Sequence, residues 1–527
     1  MIEKKPPRSR RFTWSAVAVV MVFLSAVSIS VPSAFAQQTD AQTQELNHYF
    51  QILESVYQFI VQNYVDEVDA KKLYEGAMKG MLDSLGDPYS AFLDEKTWEY
   101  LNDSTVVGKY GGIGLSIQKQ ALPEGSPSDA PAYIEVFSVF DGTPGSRAGF
   151  KPGDLIVKIE GESTAPLSVD EAKNRLRGDP GTKVNISVRR GEAEFDLAVV
   201  RAVVEMPVVS SALIPTPKGN IAYLRIIEFS PLTYPRVKDA IKTFDAAGYR
   251  GMIVDLRSNP GGLLNSATQI ADLFLDSGVI VSTKGRSPYE NTVISAQSGV
   301  SVPRDKPVVV LINKGSASAS EILAGALKDT KRAWLVGENS YGKGLVQQII
   351  PVDDTGFKLT MARYYTPSDE NIDKTGIPPD QVSPDLFLDD DGTLAFQKLA
   401  TSGRIEAWAK AHPKAGAAER NDFAHALFAD YPKLPEALLR RLVRDELVKT
   451  ENPPVYDLEF DTQLLDAIAA LDAPDFATRL AAAKTVKELV AAKKAAEAVK
   501  AAIPAAPSAA GGAAATPATP ATPGSGK

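Results

Sequence analysis

The chain has 527 residues, 57 Lys and Arg against 65 Asp and Glu, a formal net charge of −8, and 44% hydrophobic and 8% aromatic residues. This is the composition of a globular protein long enough for about three domains. It has no cysteine, which excludes disulfides, thiolate-bound metals and a thiol nucleophile, and with a pI near 5.3 it offers no general grip on nucleic-acid phosphates.

Residues 1–36 read as a targeting segment. Lys4, Lys5, Arg8, Arg10 and Arg11 precede an uncharged stretch, 12–31, and Ala34-Phe35-Ala36 puts small residues at the −3 and −1 positions before Gln37. The Ala-x-Ala site favours a cleaved secretory signal; an uncleaved anchor over 12–31 is the alternative. Either one exports the rest to a periplasmic or other extracytoplasmic space.

In 37–103, Leu46, Tyr49, Phe50, Leu53, Val56, Tyr57, Ile60, Val61 and Tyr64 recur at the period of one helix face. A second helix is expected over 70–85, broken by Gly86-Asp87-Pro88. The pair forms either a hairpin within the chain or a seam between two subunits. Region 104–205 turns to short β-rich runs at 113–117, 133–139, 154–160, 183–189 and 195–200. One helix interrupts them, opened by the capping box Ser168-Val169-Asp170-Glu171. Region 206–388 alternates strands such as 251–256 and 307–312 with helices starting near Leu263 and Ala319, an α/β layer with parallel pairing. Region 389–503 is helical and Ala/Leu/Lys-rich, with no visible chemistry. Region 504–527 is almost only Ala, Pro, Gly, Ser and Thr, the composition of a disordered tail.

The chemistry concentrates in three places. Gly315-Ser316-Ala317-Ser318-Ala319-Ser320-Glu321 follows an apolar strand and opens a helix, so Ser318 stands at the positive helix end, where amides can receive an oxyanion. The same spacing allows Ser318 to be simply a helix cap. A nucleophilic serine needs a base, and no histidine lies between Ser104 and Ala411. That disfavours a Ser-His-Asp triad and leaves a neutral lysine, which requires desolvation. Lys343 sits between Gly342 and Gly344, ahead of the apolar Leu345 and Val346, with Gln347 four residues on. Glycines permit close approach of another segment, although a lysine so placed can equally be a turn-surface residue. Third, Asp255-Leu256-Arg257-Ser258-Asn259-Pro260-Gly261-Gly262 ends a strand, where glycines expose amides.

In their order, these motifs resemble the carboxyl-terminal processing peptidases, the tail-specific serine proteases with a PDZ domain and a serine–lysine dyad. The likeness covers about residues 48–385. It includes Leu85-Gly86-Asp87-Pro88-Tyr89-Ser90, Gly111-Gly112-Ile113-Gly114-Leu115 and Ala148-Gly149-Phe150-Lys151-Pro152-Gly153-Asp154. It implies an α+β multidomain fold with an N-terminal helical region, a PDZ domain over 104–205, an α/β protease core over 206–388 and a C-terminal helical region. Residue by residue, it implies Ser318 as nucleophile, Lys343 as general base and Gln347 as the residue orienting the lysine. The Ala319 amide, with that of Gly261 or Gly262, would form the oxyanion hole. In the PDZ domain, Gly111, Gly112, Ile113, Gly114 and Leu115 would receive a terminal carboxylate while the peptide adds as a strand. Ile113 and Leu115 would take its last apolar residues, with the helix capped at Ser168 as the other wall.

The resulting expectation is an exported serine endopeptidase that captures protein C-termini and cleaves by acyl transfer. No cofactor or metal is expected, and no His-Glu-x-x-His signature occurs. Expected partners are proteins with apolar C-termini and a second copy through the terminal helices, with an activating or adaptor protein as a further candidate. Nucleic acid is not expected, and a membrane enters only if the N-terminal segment is retained. The alternatives are a catalytically silent PDZ adaptor and a dimeric scaffold; neither needs both Ser318 and Lys343.

Overall fold

In the computed structural model, residues 40–502 are described except 96, 99–108, 121, 123–126, 128–129, 141, 206, 387 and 449–453. The targeting segment expected over 1–36 and the tail expected over 504–527 lie outside the described residues. Among the described residues, no helix is long and apolar enough to cross a membrane. The chain divides into two compact units, Met1–Gly86 and Asp87–Lys527.

The first unit holds the helices Asp40–Asn63 and Ala70–Asp83. Asp69 caps the second by accepting the amides of Lys71 and Lys72, and the Tyr57 hydroxyl donates to the Ala70 carbonyl at 2.9 Å. The amphipathic face read from the sequence is present, but much of it is open: Phe50 and Tyr64 are each 62% exposed.

In the second unit, an antiparallel sheet runs in the order Leu115–Lys119, Ile134–Val139, Leu155–Ile159, Lys183–Arg190, Ala193–Val200. Its helix, Val169–Leu176, starts with the capping box complete: the Ser168 amide donates to Glu171 Oε2 (2.7 Å) and the Glu171 amide to Ser168 Oγ (3.2 Å). Strands Lys109–Gly112 and Ala202–Glu205 pair with each other where the chain enters and leaves this module.

The core sheet follows the order Val209–Ile214, Ile221–Ile226, Gly251–Asp255, Val308–Ile312, Trp334–Gly337, Gln381–Val382; the first pair is antiparallel and the rest are parallel. Strand alternation sends Met252, Val254, Val308 and Val310 to one face, against Val237, Ile241, Ala267, Leu323 and Leu327 of three helices. Ile253, Val309 and Leu311 go to the other, against Leu464, Ala467 and Phe476. Each fully buried Val, Ile or Leu contributes about 1.5–3 kcal/mol relative to exposure, so covering both faces is what makes so apolar a run stable.

The helical region 389–503 therefore has two fates. Residues 390–447 form a helical cluster around Leu399, Leu427, Leu439 and Val443, while Thr462–Asp472 and Val486 with Val490 return to the core sheet and its helices. A second antiparallel sheet, not read from the sequence, joins Ala91–Leu93, Thr355–Tyr365, Val279–Gly285 and Thr292–Ser295, with Leu345–Val352 paired to Thr355–Tyr365. Residues 87–93, grouped in sequence with the N-terminal helices, belong to this unit.

Candidate active site

Three adjacent parallel strands end side by side, and each runs into one of the motifs singled out above. Gly251–Asp255 leads to Gly261 and Gly262, Val308–Ile312 to Ser318, and Trp334–Gly337 to Lys343. The carboxyl ends of parallel strands are where open α/β sheets place their sites.

The first two loops are cross-braced. Asn259, fully buried, accepts the Gly261 amide on Oδ1 (2.8 Å), and its carbonyl accepts the Ala317 amide and the Ser320 hydroxyl (both 3.0 Å). The Ser316 hydroxyl donates to the Leu256 carbonyl (2.7 Å), and Asn313 Oδ1 accepts the amides of Ser258 and Gly315. A Cβ on Gly261 would stand 2.8 Å from Ser318 Cβ, so only glycine fits beneath the serine.

Ser318 has φ 55° and ψ −114°, a conformation that costs a non-glycine residue of order 1–3 kcal/mol. It persists because its neighbours hold it. Its amide donates to Glu321 Oε2 (2.8 Å), and its carbonyl accepts the amides of Glu321 and Ile322 and the Tyr364 hydroxyl. Its half-buried side chain makes no cap hydrogen bond, so the hydroxyl stays uncommitted to the helix.

Glu321 is the residue that sequence reading undervalued. Read as the far end of a capping box, it is in fact fully buried and accepts from three segments at once. Oε1 takes the Ser340 hydroxyl (2.6 Å) and the Gly342 amide (2.7 Å); Oε2 takes the amides of Ser318 (2.8 Å) and Lys343 (2.9 Å) and the Tyr364 hydroxyl (3.4 Å). Burial pushes its carboxyl above the usual range, against the pull of these donors. The available signal was its place at the head of the apolar run Ile322-Leu323-Ala324-Gly325-Ala326-Leu327, where a charge must find partners.

Lys343 is half-buried, and both flanking glycines are required by close approach. A Cβ on Gly342 would lie 2.8 Å from the Gly376 amide nitrogen, and one on Gly344 2.6 Å from that of Asp373. Its Nζ donates to Gln347 Oε1 at 3.1 Å, and Gln347 Nε2 donates to the Tyr89 carbonyl at 2.5 Å. Burial holds Lys343 below the usual lysine range, helped by the Lys358 charge and opposed by Asp87 and Glu321.

Ala319 is the first residue of its helix, and its amide has no acceptor among the described residues. The Gly261 amide is engaged by Asn259, whereas the amide of the exposed Gly262 has no acceptor among the described residues. In the β-rich module, Gly111 and Gly112 pair with Val203 and Ala202. Gly114 has φ 81° and a carbonyl accepting the Phe140 amide. Ile113, expected to contact a peptide, is 2% exposed and packs into the module's core; Leu115 and Ile117 are half-buried beside it. Leu115–Lys119 is an edge strand, paired on one side only among the described residues and flanked by Val169–Leu176.

Known proteins share this organisation. The family model for peptidase family S41 matches residues 220–383, that for a PDZ domain 136–190, and that for the N-terminal domain of the activating protease CtpB 17–97. The chain is 35% identical over 448 residues to a carboxy-terminal-processing protease of Bartonella bacilliformis, covering 82% of this chain and 98% of that one. It is 34% identical to the carboxy-terminal processing protease CtpA of Bacillus subtilis, covering 74% and 82%. Among solved structures, a photosystem II D1 C-terminal processing protease is 26% identical with a TM-score of 0.38, covering 67% and 98%. The chain is a serine-type peptidase of family S41 and belongs to the carboxy-terminal processing proteases.

Proposed function

We propose that the protein is an exported endopeptidase in which Ser318 and Lys343 form the catalytic dyad and the PDZ domain receives the substrate's C-terminus. The observation that carries this reading is the single Glu321 carboxylate, which accepts the main-chain amides of both Ser318 and Lys343 and so ties their two segments together. Neutral Lys343 takes the Ser318 Oγ proton as Oγ bonds to the substrate carbonyl carbon. The resulting oxyanion lies against the amides of Ala319 and Gly262. Protonated Lys343 then gives its proton to the departing amine as the C–N bond breaks, leaving an acyl-enzyme. Water, deprotonated by Lys343, attacks that ester; the new acid leaves, and Ser318 Oγ recovers its proton. Gln347 Oε1 holds one Nζ hydrogen, which leaves the amine lone pair free for the serine.

The open edge of Leu115–Lys119 supports strand addition by an extended peptide, with Leu115 and Ile117 rather than Ile113 meeting its side chains. Residues 1–36 support export, and the exposed apolar face of the first unit supports pairing with a second copy. The test is incubation of the purified chain with an unfolded reporter bearing an apolar C-terminal tail. The parent is expected to cleave it. Ser318→Ala and Lys343→Ala are expected to fold, bind the tail and lose all measurable cleavage. Full activity in either would overturn the dyad; tail binding without cleavage by the parent would favour an adaptor.

A further inference from the structure

The turn of residues 87–90 lies more than 250 positions before Gln347 in the chain, yet it reaches the site. We propose that this turn is part of the catalytic assembly, with Asp87 and Tyr89 as positioning residues that fix which end of the Gln347 amide faces Lys343. The inference rests on the Ser318–Lys343 reading.

A glutamine amide is ambiguous, with an acceptor at one end and donors at the other. The Tyr89 carbonyl can only accept, so it draws Nε2 to itself and leaves Oε1 facing Lys343 Nζ. A reversed amide would set donors against the lysine's hydrogens and an oxygen against the carbonyl. The carbonyl is in turn placed by Asp87. Oδ1 accepts the Tyr89 amide (3.0 Å), and Oδ2 accepts the hydroxyls of Ser90 and Thr360 (both 2.6 Å). Ser90 Oγ accepts the Thr360 amide (3.1 Å), and the chain continues into Ala91–Leu93, with Ala91 paired to Lys358. The Tyr89 ring lies under Lys343 Nζ, 4.8 Å from its centroid, and its hydroxyl is 3.5 Å from that of Tyr341.

Asp87 also acts by charge. Burial pushes its carboxyl up, but the Ser90 and Thr360 hydroxyls and the amides of Tyr89 and Ser90 hold it below the usual range, so it is ionised. The charged groups acting on Lys343 are Lys358 from Thr355–Tyr365, Asp87 from the turn and Glu321 from Ala319–Asp329, with Tyr89 beneath it and Asp373 acting in turn on Tyr89. Asp87 favours the protonated lysine. Asp87→Asn therefore has two separable consequences: a looser Gln347, and a lysine that loses its proton at lower pH.

The experiment is steady-state cleavage of the tailed reporter by the full chain across pH. Asp87→Asn is expected to lower kcat about tenfold with KM within about twofold, while the acid limb of the kcat profile moves to lower pH. In the Gln347→Leu background, the same change is expected to slow kcat no further, because Asp87 acts through Gln347. Parental kcat and an unmoved limb would overturn the proposal, as would losses that multiply in the double variant. If Asp87→Asn does not fold, Thr360→Val removes one clasp donor and is expected to show the rate loss on a smaller scale; parental kcat there would overturn it. Full activity in Lys343→Ala would remove the dyad itself. An inactive Lys343→Ala beside a parental Asp87→Asn would reject only the turn.

Discussion

The strand ends of the core sheet and the edge strand of the PDZ domain treat their backbone groups in opposite ways. Around Ser318 and Lys343, nearly every loop amide is engaged, by Asn259, Asn313 or Glu321. Along Leu115–Lys119 one side is paired and, among the described residues, the other is left open. Rate acceleration needs groups already in place before substrate arrives, since reorganisation during the reaction raises the barrier. Recognition of many different chain ends needs unpaired donors and acceptors that any backbone can complete. The same molecule thus keeps a saturated region at its strand ends and, among the described residues, an unsaturated one along this edge.

That contrast can be broken from the saturated side first. Glu321→Ala leaves five donors without their acceptor inside the core. Activity is expected to fall to background and stability to drop by about 3 kcal/mol or more, read by cleavage assay and denaturant titration. Gly342→Ala places a Cβ against the 376 backbone at φ 90°, and is expected to cost about 2 kcal/mol and about a hundredfold in kcat, with tail binding retained. On the open side, Leu115→Asp is expected to raise KM about tenfold at unchanged kcat, because it disturbs capture and leaves the strand ends alone. The smallest effect sharpens the electrostatics. Activity is expected to rise with pH as Lys343 loses its proton, and Lys358→Met, by removing a charge that favours the neutral amine, is expected to move that limb to higher pH.

Much of the site was legible because its signals are local. The strand Val308–Ile312 running into Ser318, and the glycines bracketing Lys343, announce a strand-to-helix turn and a close approach within a dozen residues of sequence. The carboxylate that joins them was not legible as a joint. Glu321 meets residues 340–343 and 364, and nothing in Ser-x-x-Glu spacing distinguishes a cap from a bridge. The reach of the turn at Asp87 to Gln347, and the hairpin of Leu345–Val352 with Thr355–Tyr365, were missed for the same reason, since their meaning lies in pairings some 250 residues apart or in strands whose second face is only half-buried. Ile113 shows a converse case: its place in a glycine-rich loop says nothing of depth, and the side chain packs into the module's core.

The return of the last segment to the core sheet has a consequence for when this protease comes into being. Arg257, in the loop that leads to Gly261, is clamped between Asp255 and Asp461, and Tyr223, Ile253, Val309 and Leu311 pack against the helix Thr462–Asp472 and Phe476. Synthesis proceeds from the N-terminus, so a nascent chain carries Ser318 and Lys343 long before it has the residues that roof the sheet beneath them. While the ribosome is still translating, that face of the sheet lacks the residues of 462–476 that cover it in the finished chain.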